Sequence, residues 1–426
     1  MFRASHCGIF LVLALVLGRA ELLPSHAYDT AEAARVLLRA GKVNQADRLI
    51  RNARETSPDD ARLLCVWGDI FFRRADFSNA AKAYQSALEV NPNSASSYLG
   101  LGRIAQMEFR RNNARDLFSQ AFRRDPNDPE ISSAYLRSTT GLQTPLYSRL
   151  SSAYTRYELK LTGFHPMTSS PNGMLVTARI NGGKPLRLVF DTGFSGIVID
   201  GKAARSLGLE AASRSRFIGG MGDGRPHIAQ TAIAHTVAFG DLEFRDCVIQ
   251  VDQGSVTSGA DGVIGGDVFA QFEINLDARS RRLSLIPFSD EGNRIVPLTP
   301  VYGVEHLLLV KAKINRQKEG LFLLDTAAAF TSISEEIARP WEHRATGPLM
   351  GARGLLSHVF RVPPVELEFG GKPLVDPAPV ALDLRQMSQQ IGVEISGVLG
   401  YPLLSASNLT INYRDGIVQL GNDSTR

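Results

Sequence analysis

Apolar and polar residues follow three successive rhythms along the chain. Residues 8–18 form one continuous apolar run, with Arg3 before it and Gly18-Arg19-Ala20 at its end. From position 27 to position 126 the apolar side chains recur at helical spacing, broken at Pro58, Pro92 and Pro126, which are evenly spaced (92 − 58 = 126 − 92 = 34). Each Pro stands in a turn rich in Asp, Asn or Ser, so the pattern predicts helices punctuated by polar turns. Beyond Gly173 the rhythm changes to short apolar and β-branched runs separated by Gly and Pro, the signature of strands. Residues 141–172 keep neither rhythm and read as linker.

The helical stretch repeats in its side chains as well as its breaks. Ala46, Ala80 and Ala114 share one position counted back from each Pro; Ala53, Ala87 and Ala121 share another, with Ile50, Tyr84 and Phe118 between them. Gly68 and Gly102, with Ala34 in the first copy, hold the position where two helices must approach closely. This register resembles the tetratricopeptide repeat family over three repeats, residues 27–140 including a capping helix opened by Pro129. The resemblance implies an all-α solenoid that binds a protein partner, or serves as a structural spacer, rather than a catalyst.

A second, longer duplication lies in the strand-rich part. Val176-Thr177-Ala178-Arg179-Ile180-Asn181 corresponds to Val310-Lys311-Ala312-Lys313-Ile314-Asn315, at an offset of 134. At the same offset Leu188-Val189-Phe190-Asp191-Thr192-Gly193 matches Phe322-Leu323-Leu324-Asp325-Thr326-Ala327. Gly262-Val263-Ile264-Gly265 matches Gly397-Val398-Leu399-Gly400 at an offset of 135. Closing strands are expected over 273–285 and 408–420. Two copies of one all-β fold therefore span 173–288 and 296–421.

An apolar triplet leading into Asp-Thr-Gly, with apolar-apolar-Gly downstream, resembles the aspartic peptidases. Two such lobes in tandem look like a single-chain version of the retropepsin-like dimer. The resemblance implies a dyad of Asp191 and Asp325 that shares one proton, because two carboxylates a few ångströms apart cannot both ionise cheaply. It implies that the hydroxyls of Thr192 and Thr326 hydrogen-bond across the lobe interface. Gly193 keeps the family pattern and Ala327 departs from it; alanine fits there only at negative φ. Phe194 and Ala328 place no hydroxyl next to the dyad, which implies a less acidic optimum than that of pepsin-type enzymes. Gly219, Gly220, Met221 and Gly222 are candidates for a flap over the substrate, or for an ordinary hairpin turn, and 350–354 stand at the corresponding place in the second lobe.

Composition narrows the remaining choices. A formal net charge of +4 over 426 residues is too dilute for a nucleic-acid surface. The eight His are scattered and no paired Cys-x-x-Cys or His-Glu-x-x-His occurs, so neither a metal nor a cofactor is implied. Ser195 does not lie in Gly-x-Ser-x-Gly, so it reads as a neighbour of the dyad and not as a nucleophile. Positions 279–282, Arg-Ser-Arg-Arg, read as a solvated hairpin tip. Positions 1–20 have the layout of a cleaved secretory leader, implying export to a bacterial periplasm or beyond; the chain meets a membrane only if that leader stays. With it removed, Cys65 and Cys247 remain, in different domains, as small buried residues. Two function classes follow: an exported aspartic endopeptidase acting on a peptide or protein, with the repeats recruiting a partner, or a non-catalytic peptide-binding adaptor on the same fold.

Overall fold

The structure is a computed structural model that describes residues 22–139, 148–149, 154–165, 172–209, 211–216, 228–252, 258–288, 299–304, 306–342, 344–346, 349–351, 354–356 and 358–421. The chain divides into a helical unit and a β-rich unit. Positions 1–20, read as a leader, lie outside the described residues. Among those described, no helix is long and apolar enough to cross a membrane.

The described N-terminal residues form seven helices, Leu22–Arg39, Val43–Thr56, Ala61–Arg73, Phe77–Val90, Ala95–Met107, Arg111–Arg124 and Pro129–Thr139. Polar turn residues start several of them. Asp60 accepts the amides of Arg62 and Leu63, and Asp128 those of Glu130 and Ile131, satisfying donors that a first turn leaves open. Small residues then set how closely the helices pack. A methyl at Gly68 would lie 2.5 Å from the Tyr84 ring, one at Gly100 2.3 Å from it, and one at Gly102 2.5 Å from Phe118. Tyr84 is fully buried, and its hydroxyl donates to Asp69 Oδ1 at 2.7 Å. Cys65 is free and buried in this unit, and burial pushes its thiol up to about 12.

The β-rich unit contains two sheets of matching design. In the first, strand Gly262–Gly265 runs parallel to Leu186–Asp191, with Gly265 opposite Asp191, and antiparallel to Ile197–Asp200. In the second, Gly397–Leu399 runs parallel to Lys318–Leu324 and antiparallel to Ser332–Ser334. The leading glycines of both motifs are required by space: a methyl would come within 2.1 Å of Val198 O at Gly262 and 2.2 Å of Ser332 O at Gly397. Duplication extends to a detail of the turns. Asn181 and Asn315 both take positive φ, 49° and 48°, and each side chain accepts a main-chain amide from a neighbouring segment, Thr236 N at 3.1 Å and Glu366 N at 2.9 Å. Asn tolerates this conformation better than most residues.

A six-stranded sheet joins the two lobes. Its centre pairs Phe272–Asp277 with Leu409–Asn412, and the register sets Ile274 against Ile411, Asn275 against Thr410 and Leu276 against Leu409. Asn275 and Thr410 are equivalent positions of the two copies, so the pairing is self-complementary and a local twofold axis passes between them. One apolar core continues through both lobes, from Tyr157 and Phe190 to Val310, Phe322 and Leu420.

The stretch 141–172 differs from a plain linker. Tyr157–Lys160 is the edge strand of the six-stranded sheet, paired with Arg282–Pro287, and Thr162–Gly163 pairs with Met174–Ile180. The reason is hydrophobic: Tyr157, Leu159, Leu161 and Phe164 are all buried. So short a strand shows too little alternation to stand out from the surrounding polar sequence. The 279–282 segment is the expected hairpin tip between Phe272–Asp277 and Arg282–Pro287, with Arg281 at φ 55°.

Candidate functional site

Each candidate aspartate stands at the end of a buried strand. Asp191 closes Leu186–Asp191, and Asp325 follows directly on Lys318–Leu324. The parallel neighbours, Gly262–Gly265 and Gly397–Leu399, lie alongside both ends; Asp325 N donates to Leu399 O at 3.1 Å. Neither turn has freedom to wander.

Thr192 and Thr326 lock the turns to each other in a reciprocal set of four bonds. Thr192 N donates to Thr326 Oγ1 and Thr326 N to Thr192 Oγ1, both at 3.1 Å. Thr192 Oγ1 donates to Leu324 O at 2.8 Å and Thr326 Oγ1 to Phe190 O at 3.0 Å. Both threonines are buried, so no water competes for these bonds.

This arrangement brings the carboxyls of Asp191 and Asp325 together, and they share a hydrogen bond. Both residues retain some accessible surface, so solvent reaches them, but the packing around them is dense. Burial is the main reason that the Asp191 carboxyl is raised well above the ordinary carboxylate range, with the facing charge of Asp325 next. Burial also raises Asp325, opposed by hydrogen bonds to its charged form. The two are not equivalent. Asp325 Oδ1 accepts both Ala327 N, at 2.9 Å, and Ala328 N, at 2.8 Å. Asp191 Oδ1 accepts Gly193 N at 2.7 Å, while Phe194 N donates to the Asp191 main-chain carbonyl at 3.2 Å. Two amides stabilise a carboxylate better than one, so the hydrogen bonds favour the charged form at Asp325 over Asp191.

Gly193 and Ala327, the positions that differ between the lobes, are explained by space. Neither has positive φ. A methyl on Gly193 would lie 2.8 Å from Asp325 Oδ2 and 3.1 Å from Asp191 Oδ1, inside the dyad. Ala327 instead packs against an apolar cluster that includes Phe164, Leu175, Val189 and Phe194. The departure in the second lobe therefore brings no backbone strain.

Gly219, Gly220, Met221 and Gly222 lie outside the described residues. The strands on either side, Ala211–Arg216 and Ile228–Phe239, pair antiparallel with Arg216 opposite Ile228. In the second lobe Leu349–Gly351 and Gly354–Leu356 pair as a two-stranded hairpin.

Sequence reasoning missed one residue. Asp267, in the turn Gly266–Phe269, accepts Ser195 Oγ at 3.0 Å and Gly196 N at 2.9 Å. The partner of Ser195 is therefore a carboxylate outside the dyad. The signal available was the second-lobe counterpart, Pro402, which carries no acceptor side chain.

Residues 176–268 match the family model described as aspartyl protease. That stretch runs from the first strand of the duplicated motif to the turn holding Asp267. No curated protein matches the chain. Among solved structures, the aspartic proteinase from Irpex lacteus aligns over 63% of this chain and 98% of its own, at 10% identity and a TM-score of 0.41, a likeness too loose to bear on function. The matched residues hold the first of the two aspartates and the Gly-Val-Ile-Gly strand that supports it, so the likeness to the aspartyl protease family falls on the first lobe.

Proposed function

We propose that the chain is an exported aspartic endopeptidase, with Asp191 and Asp325 as its catalytic pair and the helical unit as a tetratricopeptide array that engages a protein partner. The observation that carries the reading is the joined, unequal dyad: two carboxyls sharing a hydrogen bond, one held by a single amide and the other by two. A group that holds its proton beside one that holds its charge supplies an acid and a base at one point.

The steps follow from that division. The Asp325 carboxylate takes a proton from a water between the pair while the water oxygen attacks the peptide carbonyl carbon. Asp191 gives its proton to the carbonyl oxygen, leaving a neutral tetrahedral diol. Asp325 then returns its proton to the amide nitrogen, the C–N bond breaks, and Asp191 recovers a proton from the diol hydroxyl. Thr192 and Thr326 keep the carboxyls in place throughout, and no metal or covalent intermediate enters. Export rests on the leader-like layout of positions 1–20, and the partner-binding role on the even spacing of Pro58, Pro92 and Pro126 and the register between them.

The test is cleavage of a peptide library by the purified protein between about pH 3 and 8, beside Asp191→Asn and Asp325→Asn. Cleavage by the wild type that disappears in both variants is expected. Cleavage surviving both would exclude this dyad, and a folded wild type that cleaves nothing would leave the fold as a peptide-binding module.

A further inference from the structure

The two catalytic turns are anchored differently, and the difference lies outside the dyad. In the first lobe the Asp267 carboxylate takes Gly196 N at 2.9 Å and 3.2 Å on its two oxygens, and Ser195 Oγ at 3.0 Å. His306 Nδ1, from the second lobe, lies 3.1 Å from the same Oδ2. The Asp267 side chain is only 11% exposed. Gly196 reaches it by taking φ 70°, a conformation open to glycine. At the corresponding place in the second lobe stands Pro402, and the turn that follows Asp325 reads Ala327-Ala328-Ala329-Phe330, with Tyr401 N donating to Ala328 O at 2.9 Å.

We propose that Asp267 is a positioning residue that makes the dyad unequal: by drawing Ser195 and Gly196 towards itself it bends the first turn so that Phe194 N meets the Asp191 main-chain carbonyl, and the Asp191 carboxyl keeps one amide where Asp325 has two. Without such a carboxylate the second turn delivers both Ala327 N and Ala328 N to Asp325. His306 holds Asp267 from the opposite lobe, so the bend is fixed relative to both aspartates. The order Ser195–Asp267–His306 places the carboxylate in the middle; Ser195 donates to an anion and cannot pass its proton to the imidazole, which removes a nucleophilic triad as an alternative. Among the described residues, the titratable groups at this node are His306 and Tyr413; the Tyr413 hydroxyl lies over Gly266 and is pushed up by burial, then by Asp267 and Asp191, which ties the node to the dyad.

The inference rests on the peptidase reading, so its test has an arm that needs no turnover. In wild type and Asp267→Ala, the dyad carboxyl carbons are followed by 13C NMR during a pH titration and assigned with Asp191→Asn and Asp325→Asn. Releasing the turn frees Phe194 N to reach the Asp191 carboxyl, which favours its charged form. The higher of the two midpoints then falls by about one pH unit, the scale of one hydrogen bond to a charged group. The alkaline limb of the kcat/KM profile moves down by the same amount. Ser195→Ala moves both in the same direction by less. If Asp267→Ala does not fold, Asp267→Asn, which keeps the shape and loses one acceptor, gives the same reading. Midpoints and limb unmoved in a folded Asp267 variant overturn the inference, even if kcat falls. A wild type that cleaves nothing refutes the peptidase reading alone, and the carboxyl titration still decides the role of Asp267.

Discussion

Gly193→Ala isolates the tolerance of the dyad from every other property of the fold. The residue is not at positive φ, so alanine meets no backbone penalty and by itself stabilises through the unfolded chain by about 0.4–1 kcal/mol. The added methyl, however, starts 2.8 Å from Asp325 Oδ2 and 2.9 Å from Asp325 Cγ. Reaching ordinary contact near 3.4 Å requires the carboxyl to retreat by about 0.6 Å. Asp325 cannot swing away freely, because Ala327 N and Ala328 N hold its Oδ1. Catalytic groups tolerate displacements of about 0.5 Å, and a 1 Å error costs roughly 100-fold, so kcat/KM on a cleaved peptide is expected to fall about 10- to 100-fold. Overpacking of about 1–3 kcal/mol against the unfolded-state gain leaves the urea stability lower by only about 1 kcal/mol. The reverse change, Ala327→Gly, removes a methyl packed on apolar neighbours and should cost about 1–2 kcal/mol while leaving the dyad joined. Wild-type kcat/KM in Gly193→Ala would refute the steric reasoning.

Three further outcomes are expected. Thr192→Val keeps the shape of the side chain but strands Thr326 N and Leu324 O in a buried place, so denaturant unfolding should show a loss of about 2–4 kcal/mol, largely restored by Thr192→Ser. Because the folded dyad holds its proton above the ordinary carboxylate range, its contribution is fully present at low pH and is lost as pH rises through the raised value; the melting temperature of the wild type should therefore fall relative to Asp191→Asn between about pH 4 and neutrality, and a difference constant with pH would contradict the assignment. Gly68→Ala drives a methyl to 2.5 Å from the Tyr84 ring, which has no open side because Gly100 packs on it, and should cost about 1–3 kcal/mol in helix melting by circular dichroism.

What could be read from the residues depended on whether they act through repetition. Asp191, Asp325, Thr192 and Thr326 announced themselves because each copy vouches for the other at one offset, and the self-paired Asn275 and Thr410 are what such an offset becomes in space. Helix register was legible for the same reason: Gly68 and Gly102 recur at the spacing of the prolines, against Tyr84 and Phe118. Asp267 was missed because it breaks the repetition, having Pro402 as its counterpart, and because a hydrogen bond to a partner as distant in sequence as Gly196 leaves no local pattern. Tyr157–Lys160 was read as linker because so short an edge strand is fixed by the sheet it joins and not by its own periodicity. Ala327 needed the structure, since only its φ separates a tolerated alanine from a strained one.

The self-paired centre of the six-stranded sheet has a further consequence. Two identical chains meeting on such an axis must change in step: an alanine in place of one catalytic-turn glycine would appear in both, and a methyl at Gly193 is the one the dyad has no room for. An acidic clamp would likewise bend both turns or neither. Covalent continuity between the halves lifts that obligation, so one copy can specialise in keeping a proton and the other in giving up its own. In this chain Ala327 and Asp267 are the marks of that freedom, each present on one side of the axis alone.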